Sequence, residues 1–129
     1  MNGHNIDIYN FAKKFAVGIV KLCSWLDRHP GARRTLSSQL VRSGTSIGAN
    51  LYEAKYAESD ADFIHKLKIS RKECSETIFW LEVLIDSEII DKEKLQPLLN
   101  DAKTIGKILT SIIKSKLNHS STAKGRKLD

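Results

Sequence analysis

Four histidines, two cysteines and one short polar stripe are the parts of this 129-residue chain whose types could do chemistry. His4, His29, His65 and His119 are dispersed, and none forms an HExxH pair or a His/Cys ligand cluster. No phosphate-cradling glycine loop or nucleophile elbow accompanies them. Asp62 stands three residues before His65, but a di-iron bundle needs Glu-x-x-His from two helices, and no second pair of this kind exists. Cys23 and Cys74 fall at core-facing helical positions, where a reduced thiol behaves as a small hydrophobe, which argues against a disulfide between them. The sequence predicts no catalytic residue, no metal and no cofactor, so an enzyme is the least supported class.

The polar stripe has a different logic. Ser43, Ser46, Asn50 and Glu53 climb one face at helical spacing, beside Gly44 and Gly48 one turn apart. A mid-helix glycine costs about 0.5–1 kcal/mol relative to alanine, and the usual compensation is the close approach of a neighbouring helix. An Asn or Glu buried between helices is tolerable only when hydrogen-bonded, and a satisfied network then fixes the helix register. Ser46, Asn50 and Glu53 are accordingly read as a structural polar network.

Four amphipathic segments must position these residues. Ile8, Ala12, Phe15, Ile19, Leu22 and Leu26 recur at alternating spacings of four and three, and the pattern closes at His29-Pro30-Gly31. The second helix is predicted from about Thr35 to Ala57, with Ser59 or Asp60 capping the next. The third carries the seam Phe63, Leu67, Ser70, Cys74, Thr77, Leu81 and Leu84 and ends near Glu88. The fourth starts near Asp91, within a turn set by Pro97, on a seam of Leu95, Leu98, Ala102, Ile105, Leu109 and Ile112. Long helices joined by short connections pack as antiparallel neighbours. The fold class is therefore all-α, an antiparallel up-down-up-down four-helix bundle over residues 1–117. Residues 118–129, without apolar periodicity, are expected to be a disordered basic tail.

No apolar run approaches the roughly 20 residues that span a bilayer, and the N-terminal residues lack the layout of a secretory signal, so a cytoplasmic protein without membrane contact is expected. Apolar bulk outside the seams is a further clue. Phe79 and Trp80 on the third helix and Trp25 on the first would be left partly wet in a monomer, which points to a homo-oligomer interface, although either tryptophan alone could complete a monomer core.

The segments Gln39 to Glu53, Glu58 to Ile69 and Lys72 to Leu84 carry a family resemblance. The Ser-Ile-x-x-Asn-x-x-Glu spacing of Ser46, Ile47, Asn50 and Glu53, followed in order by the Asp62-Phe63 to Leu84 block, resembles the bacterial 23S rRNA intervening-sequence proteins, also called S23. More distantly, the chain is similar to the accessory variability protein of diversity-generating retroelements. The resemblance spans roughly residues 6 to 117 and is closest over the second and third helices. It implies a non-enzymatic bundle that assembles into a ring, commonly a pentamer, and, through the distant relative, nucleic-acid binding. One departure is Ala54, where many members carry glycine after the glutamate.

Charge bears on the partner. Lys and Arg number 21 against 15 Asp and Glu, a formal net charge of +6, so phosphate neutralisation is a natural role. Arg28, Arg33 and Arg34 flank the first turn, beside a helix N-terminus whose dipole disfavours cations, which suggests that an anion is expected there. Lys66, Lys68, Arg71 and Lys72 form a second group. Glu53, Glu58, Glu73 and Glu76 lie close enough to pair with several of these, and internal pairing is the favoured reading for Arg71. The candidate nucleic-acid contacts are Arg28, Arg33, Arg34, Lys66 and Lys68, on RNA or DNA. The alternative is a ring-shaped scaffold that engages a protein partner. Few aromatics look free to stack on bases, which argues against tight single-strand recognition.

Overall fold

The computed structural model describes the backbone of residues 7–28 and 32–128, and their side chains except at 32, 33 and 120–128. The turn at His29-Pro30-Gly31, and His4, lie outside the described residues. Four helices follow one another, α1 (Ile8–Asp27), α2 (Ala32–Ala54), α3 (Asp60–Asp86) and α4 (Lys92–Leu128). α1 packs on α2, α2 on α3, α3 on α4 and, more sparingly, α4 on α1, while among the described residues the backbones of the diagonal pairs stay apart. This is the antiparallel four-helix bundle that the periodicity predicts.

Local chemistry sets the ends. Asp7 caps α1, its Oδ1 accepting from the backbone N–H groups of Tyr9 (3.1 Å) and Asn10 (3.2 Å). Ser59 caps α3 by accepting from the Asp62 N–H at 3.0 Å, while the Asp62 carboxylate reaches back to accept from the Glu58 N–H at 3.3 Å. Asp62, which the sequence sets beside His65, is therefore engaged at the helix start. Glu88 takes the left-handed conformation (φ 58°) in the turn after α3. α2 starts three residues before the predicted Thr35 and ends three before Ala57. α4 starts at Lys92, which puts Pro97 in its second turn. The helix continues to Leu128, across the segment expected to be a disordered tail; the side chains beyond 119 lie outside the described residues.

The core runs the length of the bundle, with Phe15, Ile19, Leu40, Ile47, Leu67, Leu81, Ile105 and Leu109 fully buried. Three seams differ from the predicted ones by a single step, and in α3 it is Ile64 rather than Phe63 that is buried. α1 buries Cys23 and leaves Leu22 half-exposed; α4 buries Leu99 and Ile113 where Leu98 and Ile112 were expected. Each of the α4 pairs is a doublet of adjacent apolar residues, and packing rather than period decides which member faces inward. The glycine expectation holds where α1 crosses α2. A Cβ at Gly44 would lie 2.9 Å from Ile19 Cγ2, and one at Gly48 would meet the Ala12 backbone carbonyl at 3.5 Å.

Candidate nucleic-acid interface

The polar groups that hold the bundle from inside are hydroxyls and thiols. Thr77 Oγ1 of α3 lies 3.0 Å from Ser43 Oγ of α2 and donates to the Glu73 carbonyl at 2.8 Å. Ser70 donates to the Ile47 carbonyl across the same interface at 2.8 Å. Cys74 donates to the Ala102 carbonyl at 3.0 Å, and Cys23 and Ser37 donate to each other's carbonyls. Both cysteines are free and buried, and burial pushes the Cys74 thiol up to about 11.

The stripe singled out in the sequence sits further out. Ser46 and Asn50 are half-buried and donate to carbonyls of their own helix, Arg42 at 2.6 Å and Ser46 at 2.8 Å. Glu53 is exposed and accepts from Lys66 Nζ at 2.8 Å, a hydrogen bond that raises the lysine's pKa. Of the stripe, only Ser43 is fully buried, and its partner Thr77 was legible only as a seam position.

The candidate basic residues do not converge. Arg28 closes α1 and Arg34 lies in the first turn of α2, both exposed, while Arg33 has its side chain outside the described residues. Lys66 and Lys68 lie towards the opposite end; the 19 steps along α2 from Arg34 to Glu53, the partner of Lys66, span about 28 Å at 1.5 Å per residue. The antiparallel course also brings the α3–α4 turn, with Asp86, Glu88, Asp91 and Glu93, to the end where Arg28 and Arg34 stand. Lys94, at the start of α4, lies over the Trp25 ring at 5.0 Å and confirms that juxtaposition.

Which cation the acids of α3 neutralise also differs from expectation. Glu73 and Glu76 face α2 and bind Arg42: Nη1 reaches both Glu73 oxygens at 3.3 Å, Nη2 reaches Glu76, and Trp80 Nε1 donates to the same Glu76 oxygen at 3.1 Å. Arg71, the favoured candidate for internal pairing, is turned towards α4 and makes no ion pair among the described residues. There it lines a groove of about 460 Å³ with Ser75, Ile78, Lys103, Gly106, Lys107 and Thr110. No carboxylate lines this groove. Lys103 and Lys107 are one turn apart, about 6 Å along the helix, and Lys68 and Lys114 continue the exposed cationic strip. Three cations, two hydroxyls and an apolar floor suit the oxygens of a phosphodiester backbone. Lys103 and Lys107 lie off the apolar seam of α4, and their i, i+4 spacing is the signal that the sequence carries for them.

The proposed interface aromatics occupy separate surfaces. Phe79 is 55% exposed and packs edge-on against the half-buried Trp80 at 5.1 Å between centroids. Trp25 is on α1, diagonally across the bundle from α3. Among the described residues, no three His, Cys, Asp or Glu side chains gather as a metal ion would need, and no helix is long and apolar enough to cross a membrane.

A four-helix bundle with a cationic groove on one flank is the class that the coordinates define. The chain belongs to the 23S rRNA-intervening sequence protein family, whose model matches residues 4–111. It is similar to the crystal structure of a protein of unknown function from the S23 ribosomal protein family of Bacteroides thetaiotaomicron VPI-5482. The two share 46% sequence identity and a TM-score of 0.77, over 83% of this chain and 98% of that one. No curated protein matches the chain.

Proposed function

We propose that this chain is a non-enzymatic nucleic-acid-binding protein that works as a homo-oligomer and grips phosphates in the α3–α4 groove. The observation that carries the reading is the set of cations Arg71, Lys103 and Lys107, unpaired among the described residues, in a groove that no described carboxylate lines. Such contacts are indifferent to sequence and are driven by counterion release. Oligomerisation, a pentamer being the favoured form, would repeat the groove and turn weak single contacts into avidity. Phe79 is the apolar side chain best presented for a subunit contact; its 55% exposure equally supports the second reading, a ring that engages a protein partner.

Filter binding of structured RNA and duplex DNA across a salt series tests the proposal. Lys103→Glu with Lys107→Glu should weaken binding about tenfold or more at low salt for every sequence and flatten the salt dependence. Equal affinity and slope for variant and wild type would move the phosphates elsewhere, with Arg28, Arg33 and Arg34 the next site to reverse. Absence of binding by wild type at low salt would favour the scaffold.

A further inference from the structure

The flank opposite the α3–α4 groove is chemically unlike it. Between α1 and α2 lies a smaller groove of about 280 Å³ whose floor includes Gly48 and Ala49, whose walls include Tyr9 and Tyr52, and which Lys13 and Lys55 border. Again no carboxylate contributes. Tyr52 is 58% exposed and its neighbour Tyr56 71%, with ring centroids 5.7 Å apart and planes tilted by 53°. Lys55 Nζ sits 4.4 Å from the Tyr9 centroid and 5.2 Å from that of Tyr52, so cation and aromatic faces are presented together. The small floor residues leave room beside the rings that a larger side chain would fill.

We propose that this α1–α2 groove takes an unpaired nucleobase, stacked against Tyr52 with its phosphate on Lys13 or Lys55, which gives the protein a single-strand site distinct from the α3–α4 groove. The inference rests on the nucleic-acid reading above and names the form of nucleic acid that this second flank accepts. A cavity of 280 Å³ falls just below the usual range for small-molecule pockets, so it suits one base rather than a duplex. Lys13 and Lys55, the charged residues of its lining, beside the neutral Asn10 and Thr45, suit the phosphate attached to that base. Stacking on an aromatic face tolerates any base, and neighbouring lysines that track the backbone are the usual accompaniment. The sequence suggests too few exposed aromatics for single-strand binding; Tyr52, on the outer face of α2, and Tyr56, in the turn that follows it, are both exposed.

Fluorescence anisotropy on the full chain decides the matter, with a labelled 12-nucleotide oligouridine and a labelled duplex of the same length as probes. Tyr52→Ala should weaken oligouridine binding about 5- to 150-fold, the range expected for loss of one stacked base, and leave duplex binding unchanged. Tyr52→Phe should retain the wild-type affinity. Unchanged oligouridine binding by Tyr52→Ala overturns the inference, as does an equal loss for both probes. Dissociation of an oligomer by Tyr52→Ala, read by sedimentation velocity, would assign the groove to a second copy of the chain and also overturn it. Wild-type protein that binds the duplex but not oligouridine removes this site and leaves the α3–α4 proposal standing; binding of neither removes both.

Discussion

Helix α3 carries charge on two flanks, and they are treated in opposite ways. Towards α2, Glu73 and Glu76 meet Arg42, and Lys66 meets Glu53, so each cation is paired with a carboxylate across the helix interface. Towards α4, Arg71 faces Lys103 and Lys107 across a groove with no counter-charge. Like charges along one groove repel one another, which stabilises nothing in the isolated chain and suits a surface that awaits an anion. The contrast teaches that net charge is a poor guide to a binding surface: the same helix contributes a cation to each flank, Lys66 to one and Arg71 to the other, and only the placement of the glutamates separates a structural face from an available one.

Perturbing what lies beneath each flank sharpens that contrast. The largest expected effect on stability is alkaline. The buried Cys74 thiol, under the cationic flank, ionises near 11 in the folded chain and near its ordinary 9.0 in the unfolded one. Between these values the unfolded state binds fewer protons, so the thiol's contribution is fully present below pH 9 and lost as pH rises to 11. Each pH unit of that window is worth about 1.4 kcal/mol, or about 2–3 kcal/mol in all. Urea melts from pH 8 to 11 should show this fall, and Cys74→Ala should reduce it by that amount. An unchanged profile in the variant would mean that the thiol is not the group being titrated.

Thr77→Val comes next, because it removes a buried hydroxyl beneath the ion-paired flank and leaves Ser43 with only a 3.4 Å contact to the Leu40 carbonyl. A loss of about 1–3 kcal/mol is expected in thermal or urea melts, with no change in binding. The smallest effect belongs to the flank itself. Arg42 is 48% exposed, so Arg42→Ala should cost only about 0.2–1 kcal/mol, and Arg71→Ala less still, since it breaks no pair. A large loss from Arg71→Ala would reveal an internal role and erase the difference between the flanks.

Much of this was legible in the sequence. The helices, their antiparallel order and the close α1–α2 crossing at Gly44 follow from period, caps and small residues. Leu99 and Ile113 did not, because an apolar doublet offers two equally good seam positions and only the neighbouring helices choose between them. The stripe from Ser43 to Glu53 was recognised as unusual, yet its members divide by angle: Ser43 turns into the core, while Glu53 turns out to Lys66. For the candidate interface, proximity in sequence suggested that Glu73 and Glu76 would neutralise Arg71. An α-helix separates neighbours by about 100° per residue, so these groups fall on different sides of α3, and Arg42, more than thirty residues away, takes the acids instead.

The central claim is that unpaired cations on the α3–α4 flank, and not paired ones on the α2–α3 flank, meet the phosphates. Salt-dependent duplex binding by Arg71→Ala and Arg42→Ala compares them directly. The account predicts that Arg71→Ala lowers the slope of log K against log salt by about 0.9, one released counterion, while Arg42→Ala leaves the slope at its wild-type value. A lower slope for Arg42→Ala together with a wild-type slope for Arg71→Ala would contradict it.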